Sequence, residues 1–336
     1  MIKRLYIDIG STNIKSMVCS DGVCGRVERV AFPPPAVSGG GRFEVDISAI
    51  VGRVMPIVDV ASADEVFLSV QMHGYILADA RRRPVTRYIS WQDCRAGAGG
   101  VRVGIGAESG TSMKANLPRA GVETIAREQP DLYAAAAEFF TLGSYIACVL
   151  TGNNATHITD AAASGYYNVK ERTAIPCGLR LPDALYRVAP VGVYRGGKVF
   201  APMGDQQCAV LGAGGGEDAL VLNLGTAAQM CTVAEGFVAG EFESRPYFGG
   251  KTLCTVTGLT GGKRLGEGCV GSEELGKEYA AAARRLPARK RLIVTGGAYA
   301  YHRALIDHAA AYLGLPYTVN EGADALGGLK IISEEQ

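Results

Sequence analysis

Apolar positions predominate in three consecutive stretches near the start of the chain, residues 5–9, 14–19 and 26–32. Short polar breaks between them predict three antiparallel strands joined by tight turns. The first break follows Asp8 and turns through Gly10, Ser11 and Thr12 before the chain becomes strand-like again. Phe32 to Asp46 is rich in Pro and Gly and reads as a loop, whereas Ile47 to Val58 carries helical spacing. Glu65 to Val70, "EVFLSV", is mostly apolar and reads as a buried strand. Alanine-rich helices are expected from about Leu132 to Leu150. Near Pro202 the texture resets. Asp218 to Val233 predicts a second strand–turn–strand, with Gly225 and Thr226 at its corner. Thr252–Leu259 follows as strand, Leu265–Arg285 as helix, Arg291–Tyr299 as strand into turn, and a last helix begins near Ala323.

Neither corner fits the common nucleotide fingerprints. A Walker loop needs a second glycine followed by Lys and Ser or Thr, and a dinucleotide site needs G-x-G-x-x-G opening a helix. Two hairpins with small hydroxyl-bearing turns could instead clamp a polyphosphate from two sides, using backbone N–H groups and hydroxyls. Asp8 then stands where a Mg²⁺ shell needs a carboxylate. Either hairpin alone is equally well a structural corner. Both together, followed by "TGGAY" (Thr295 to Tyr299) ahead of a helix, make the phosphate reading the better one.

Bulk properties narrow the class. The 336 residues are enough for two domains with cores, and 48% hydrophobic content with 45 glycines suits a turn-rich α/β protein. A net charge of +1 gives no electrostatic case for nucleic acid or an acidic membrane. The basic runs Ala80–Pro84 and Arg284–Arg291 read as a turn and a solvated helix end. No stretch has the length of a membrane span, and the N-terminus lacks a signal-peptide layout, so a cytoplasmic protein is expected. Nine dispersed cysteines without C-x-x-C spacing fit reduced thiols; Cys19 and Cys24 are the closest pair, at the ends of an expected hairpin. With only four histidines, and no His or Cys cluster at ligand spacing, a structural zinc site is not expected.

The order of motifs resembles the FGGY family of carbohydrate kinases. "IDIGSTNIKS" resembles its first phosphate motif, "LNLGTAAQM" the second, "TGGAYAYHRALIDHAA" its adenosine motif and "EGADALGGLKI" its closing helix. "VQMHGYILAD" resembles the sugar segment of ketose kinases, "SWQDCRA" their Trp–Asp–Arg segment, and "GDQQCAVLGAG" the segment with the catalytic aspartate. "SGTSMKANLPR" and "FFTLGSYIACVLTG" keep the running order. The likeness covers nearly the whole chain. It implies a two-domain actin/hexokinase-like (ribonuclease H-like) ATPase fold of α/β class, with the active site in the interdomain cleft. The expected domains are 1–200, with the sugar segment and first phosphate motif, and 201–336, with the second phosphate and adenosine motifs. "SWQDCR", "GDQQ", "DAAASGYYNV" and "YFGGKTLCTVTGLTGGKRL" lean towards the sedoheptulokinase branch, although xylulokinases share about half of these features.

The resemblance also implies roles. Asp205 is the general base; standing at an expected helix start it also suits an N-cap, and the two roles are compatible. Asp8 orients Mg²⁺, while Gly10, Ser11, Thr12, Gly225 and Thr226 contact the phosphates of ATP, and Lys15 offsets developing charge. Gln71, Met72, His73, Asp93, Arg95 and Gln206 recognise or support the sugar, and Trp91 offers it a stacking face. As the single tryptophan, Trp91 could instead belong to the core. Gly296, Gly297 and Ala298 admit adenine, with Tyr301 nearby. A homodimer is compatible with the family.

Two departures stand out. Cys94 replaces the usual glycine after Asp93, which puts that turn in doubt, and the span from Gly225 to Gly296 is short for the family. A triol such as glycerol is disfavoured, because Met72-His73 stand where glycerol kinases carry Arg-Glu. The first motif also resembles ATPase activators of hydroxyacyl-CoA dehydratases, although an iron–sulfur protein would have no use for "QMHG" or "SWQDCRA". A non-catalytic sugar sensor is disfavoured by the intact Asp8, Asp205 and phosphate turns.

Overall fold

The structure, a computed structural model, describes residues 2–99, 104–105, 112–225, 228–261, 271–297, 303–320, 322 and 324–336. The chain packs as two units, Met1–Cys208 with Ile332–Gln336, and Ala209–Ile331.

The first unit opens with β1 (Lys3–Ile9), β2 (Asn13–Ser20), β3 (Val23–Cys24) and β4 (Glu28–Ala31). The stretch expected as loop folds into a further hairpin, β5 (Val37–Gly39) and β6 (Arg42–Val45). Its glycines Gly39, Gly40 and Gly41 all take positive φ, so what reads as a breaker cluster is the hairpin's turn. Helix α1 (Ile47–Ala61) is capped by the Asp46 side chain, which accepts from Ser48 N, and buries Ile47, Ile50, Val54 and Val58 on one stripe. Then come β7 (Glu65–Val70), β8 (Tyr75–Ala78), β9 (Tyr88–Ile89) and α2 (Pro118–Glu128).

The alanine-rich middle is not helical throughout. β10 (Glu138–Thr141) interrupts it before α3 (Leu142–Thr151), because Phe139 and Phe140 pair across to Leu77 and Ile76 of β8. The unit closes with β11 (Ala155–His157), α4 (Ile158–Ala161), β12 (Asp183–Leu185), β13 (Pro190–Tyr194), β14 (Gly197–Phe200) and β15 (Met203–Gly204). Helix α5 (Asp205–Gly212) follows directly.

The main sheet runs β13–β14–β7–β1–β2–β3, with β4 also on β2 and β15 also on β7. β1 lies antiparallel to β2 and parallel to β7, so it is enclosed, and Leu5, Tyr6, Ile7 and Ile9 are all buried. A second sheet, β10–β8–β9–β6–β5, packs its own core with α2. The expected boundary at residue 200 falls at the end of β14, but β15 still pairs with β7, which keeps the chain in the first unit through Cys208.

The thiols are not all reduced. Cys19 and Cys24 face one another across β2 and β3 and form a disulfide.

In the second unit β16 (Ala219–Leu224), β17 (Ala228–Ala234), β18 (Glu243–Pro246), β19 (Thr252–Leu259), β20 (Arg291–Thr295) and β21 (Tyr317–Val319) form one sheet. Its order is β18–β19–β17–β16–β20–β21. Helices α6 (Ser272–Arg284) and α7 (Arg303–Leu313) bury Leu275, Tyr279, Leu305 and Ile306 against it. The expected start of α6 at Leu265 lies outside the described residues. Helix α8 (Ala325–Glu334) ends the chain, and Ser333 bonds the Tyr6 hydroxyl at 2.7 Å, which returns the terminus to the first unit.

Candidate active site

Three parallel strands of the first unit, β1, β7 and β15, end side by side. Asp8 is paired with Ser69, and Ser69 with Met203. Ligand sites of α/β sheets form beyond such carboxyl ends, because successive loops converge there. The residues directly after each of these strands include ones assigned from sequence.

Asp8 is buried on β1 and accepts a 2.9 Å hydrogen bond from Ser69 Oγ. Lys15, opposite it on β2, brings Nζ to 3.7 Å from Asp8 Oδ2. The corner is closed by Gly10 N donating to Asn13 O, and pinned by Phe32 N donating to Thr12 O. Ser11 and Thr12 are exposed on this corner. Nothing in the sequence marks Ser69, since strand alternation does not reveal which residue faces a carboxylate.

After β7, Gln71 N donates to Ile9 O, and Gln71 Nε2 lies 3.4 Å from Gly10 O, so the sugar segment is tied to the phosphate corner. Met72 is buried. His73 takes φ +63°, in the left-handed region that non-glycine residues rarely adopt. Its Nδ1 lies 2.9 Å from Ala163 O; a carbonyl only accepts, so Nδ1 carries a proton. Strain of this kind persists where the surroundings fix it, and it gathers at functional turns. Gly74 must be glycine, because a Cβ would stand 2.1 Å from the Tyr88 hydroxyl.

Trp91 is 39% exposed, which removes the core reading of the single tryptophan. Asp93 is buried and saturated. It accepts from Phe43 N (2.8 Å), Arg95 N (3.1 Å), Arg95 Nε (2.7 Å) and Arg95 Nη2 (2.7 Å). Arg95 Nη2 also reaches Glu44 Oε1 at 2.8 Å. The Asp93–Arg95 pair thus braces the Trp91 turn instead of presenting open hydrogen-bonding groups, and Glu44 is a partner that the sequence reading missed. Cys94 does not distort this turn: it is exposed and not among the residues of positive φ.

Asp205 is the first residue of α5, and its Oδ1 accepts from Gln206 N at 2.8 Å. It is both helix start and candidate base. Gln206 and Gln207 are buried behind it. Burial, reinforced by the charges of Asp8 and Asp205, pushes the Cys208 thiol up, so both carboxylates bear on one side chain.

In the second unit Gly225 directly follows β16, and Thr226 lies outside the described residues. Gly296 has φ +94°, and a Cβ there would meet Leu224 O at 2.5 Å. Gly297 follows it. Ala298 and Tyr301 lie outside the described residues.

Two α/β units, each with a hairpin and parallel strands, build the actin/hexokinase-like ATPase fold expected from the resemblance. Residues 4–178, more than half of the chain, match the model of the FGGY family of carbohydrate kinases, N-terminal domain. The chain belongs to this family and is a carbohydrate kinase. Solved structures agree in fold. The ligand-bound xylulose kinase from Lactobacillus acidophilus gives a TM-score of 0.81 at 16% identity, covering 99% of this chain and 89% of that one. A gluconate kinase from the same organism gives the same values. The Plasmodium falciparum glycerol kinase with ADP gives 0.82 at 12% identity, covering 99% and 90%. A search of curated protein sequences finds no significant match. Family membership replaces the dehydratase-activator alternative.

Proposed function

We propose that the chain transfers the γ-phosphoryl group of ATP to the terminal hydroxyl of a ketose, and that this ketose is sedoheptulose, giving sedoheptulose 7-phosphate. The observation that carries the kinase reading is the convergence of Asp8, the Gln71–His73 turn and Asp205 at the ends of three adjacent parallel strands. Phosphoryl transfer asks the protein for alignment and charge stabilisation more than for covalent chemistry. Asp205 accepts the proton of the attacking hydroxyl as its oxygen bonds phosphorus and the bridging oxygen of ADP leaves. Gln71 and His73 hold sugar hydroxyls, Met72 lines the wall, Gln206 supports the base, and Trp91, braced by Asp93 and Arg95, supplies a face for the carbon chain. Ser11, Thr12, Gly225 and Thr226 hold phosphate oxygens.

The donor set at Asp8 fits Mg²⁺. Such an ion keeps most of its waters and takes one carboxylate plus phosphate oxygens, so it needs no dedicated cage. Bound there, it neutralises phosphate charge, and Lys15 adds a second positive group 3.7 Å from the carboxylate.

The choice of sedoheptulose rests on the motif stretches shared with that branch. Side-by-side kinetics on sedoheptulose, xylulose, ribulose, gluconate and glycerol test it. Sedoheptulose is expected to lead xylulose in kcat/KM by about tenfold or more, because a site that bonds extra hydroxyls is penalised when they are missing. Equal or better turnover of xylulose moves the protein to the pentulose kinases. The sugar is also expected to change Trp91 fluorescence without nucleotide, and an unchanged spectrum at saturating sugar removes Trp91 from the site.

A further inference from the structure

The backbone leading into Asp205 is held by a short polar segment to which the sequence reading gave no role. Thr156, His157, Thr159 and Asp160 are all buried, although they are polar and adjacent. Burial of such groups is costly unless their hydrogen bonds are made, and a completed network fixes one geometry. Here the bonds run to the approach of the candidate base. Pro202 O accepts from His157 N at 2.9 Å, and the Thr156 hydroxyl lies 2.8 Å from both Pro202 O and Asp160 Oδ2, sharing its one proton between them. Gly204 N, one residue before Asp205, donates to Thr159 Oγ1 at 3.1 Å. The Thr159 hydroxyl lies 2.9 Å from His157 Nδ1, and Thr159 N donates to that same nitrogen at 3.3 Å.

The direction of these bonds follows from donor counting. Nδ1 accepts from Thr159 N at the start of α4, so it carries no proton, and the Thr159 hydroxyl, 2.9 Å away, shares that nitrogen's one lone pair. The Thr159 oxygen is then an acceptor for Gly204. Burial holds the ring neutral, with its pKa pushed down to about 4. Gly204 has no room to be another residue, because a Cβ would stand 2.5 Å from Gln207 Oε1 and 2.6 Å from Met72 Sδ.

We propose that Thr159 and His157 are positioning residues for Asp205, fixing the backbone on which the base stands through a relay from the Gly204 N–H to the Thr159 hydroxyl to His157 Nδ1. The proposal rests on the reading of Asp205 as the base. Displacing a reacting group by about 1 Å costs on the order of a hundredfold in rate, so a distortion at Gly204 reaches the chemistry.

Thr159→Val, nearly isosteric but without the hydroxyl, is expected to lower kcat by roughly tenfold to a hundredfold while both KM values stay within about twofold. Thr159→Ser restores the hydroxyl and most of the turnover. His157→Asn, whose Oδ1 can replace Nδ1, keeps more activity than His157→Leu. Added to Asp205→Asn, Thr159→Val causes no further loss, since both act on one step. The proposal is overturned by a Thr159→Val enzyme of undiminished kcat, by a Thr159→Ser enzyme as slow as Thr159→Val, or by additive losses in the double variant. Asp205→Asn separates the two readings. Retention of most of its turnover overturns the base assignment and the relay with it; a slow Asp205→Asn beside an unimpaired Thr159→Val overturns the relay alone.

Discussion

Two hairpins of one plan stand in the two units, and they differ in charge. In the first, the penultimate residue of β1 is Asp8, opposite Lys15 on β2 and Ser69 on β7. In the second, the penultimate residue of β16 is Asn223, opposite Gln229 on β17 and Thr295 on β20. Each has an antiparallel partner on one side, a parallel partner on the other and a glycine just beyond the strand. The scaffold is common; the chemistry is not. A carboxylate only accepts and attracts a cation, whereas an amide offers a donor and an acceptor without repelling phosphate. The turns beyond the parallel strands differ in the same sense. β7 is followed by Gln71, Met72 and His73, and β20 by Gly296 and Gly297. One turn presents side chains, and the other presents backbone.

Exchanging the charged position should separate the hairpins most. Asp8→Asn is expected to lower kcat roughly a hundredfold, the scale seen when one electrostatic contact to a transition state is removed. Asn223→Ala is expected to cost less than about threefold, since it removes no charge. Equal losses in steady-state kinetics would erase the distinction. The two turn glycines come next. Gly74→Ala and Gly296→Ala should each cost about 1–3 kcal/mol by overpacking. At Gly74 the obstacle is the Tyr88 ring, so the cost should vanish in a Tyr88→Ala background. At Gly296 it is the Leu224 carbonyl together with a positive φ, which no side-chain change relieves. Urea unfolding of the single and double variants checks both. A smaller contrast is expected at the facing residues: Lys15→Met should slow turnover about tenfold and Gln229→Met barely at all, because only the first removes a charge, one 3.7 Å from the Asp8 carboxylate. A Lys15→Met enzyme at full rate would confine Lys15 to a surface role.

What the sequence made legible was local. Asp8 is visible because an apolar β-branched run ends in an acid before a glycine corner, and Asp205 because Gly-Asp precedes a helical pattern. Asp93 is legible as part of the Trp91 turn, but its partners are not. Its saturation depends on Phe43 and on Arg95, which Glu44 also holds from 51 positions away, and no spacing rule brings those together. β10 is hidden among helices because Glu138–Thr141 is four residues long with only Phe139 and Phe140 apolar, too short to distinguish strand from helix without knowledge of β8. The Cys19–Cys24 pair needed the register of β2 and β3. The Thr156–Asp160 network has no sequence signature, because its partners are backbone atoms near residue 203.

The same network makes a prediction about pH in which two large effects nearly cancel. Burial pushes the Asp160 carboxyl up to about 6 from 3.8, against hydrogen bonds from Thr141 and Thr156 that lower it. Burial pushes His157 down to about 4 from 6.5. Between pH 3.8 and 6 the folded chain binds the Asp160 proton more tightly than the unfolded chain, so this contribution grows on acidification and is lost as pH rises through 6. His157 works the other way. Its contribution is full above pH 6.5 and is lost as pH falls towards 4, because the unfolded chain then takes the proton. Each shift corresponds to about 3 kcal/mol, so their sum should change by less than about 1 kcal/mol across the overlap. Removing one partner exposes the other. Asp160→Asn should lose roughly 2–3 kcal/mol of first-unit stability between neutral pH and pH 4, and His157→Asn should gain on the same path. Trp91, the single tryptophan and a first-unit residue, reports that unit's unfolding in urea. Wild type and both variants giving parallel stability curves would mean that neither group is held out of its ordinary protonation range.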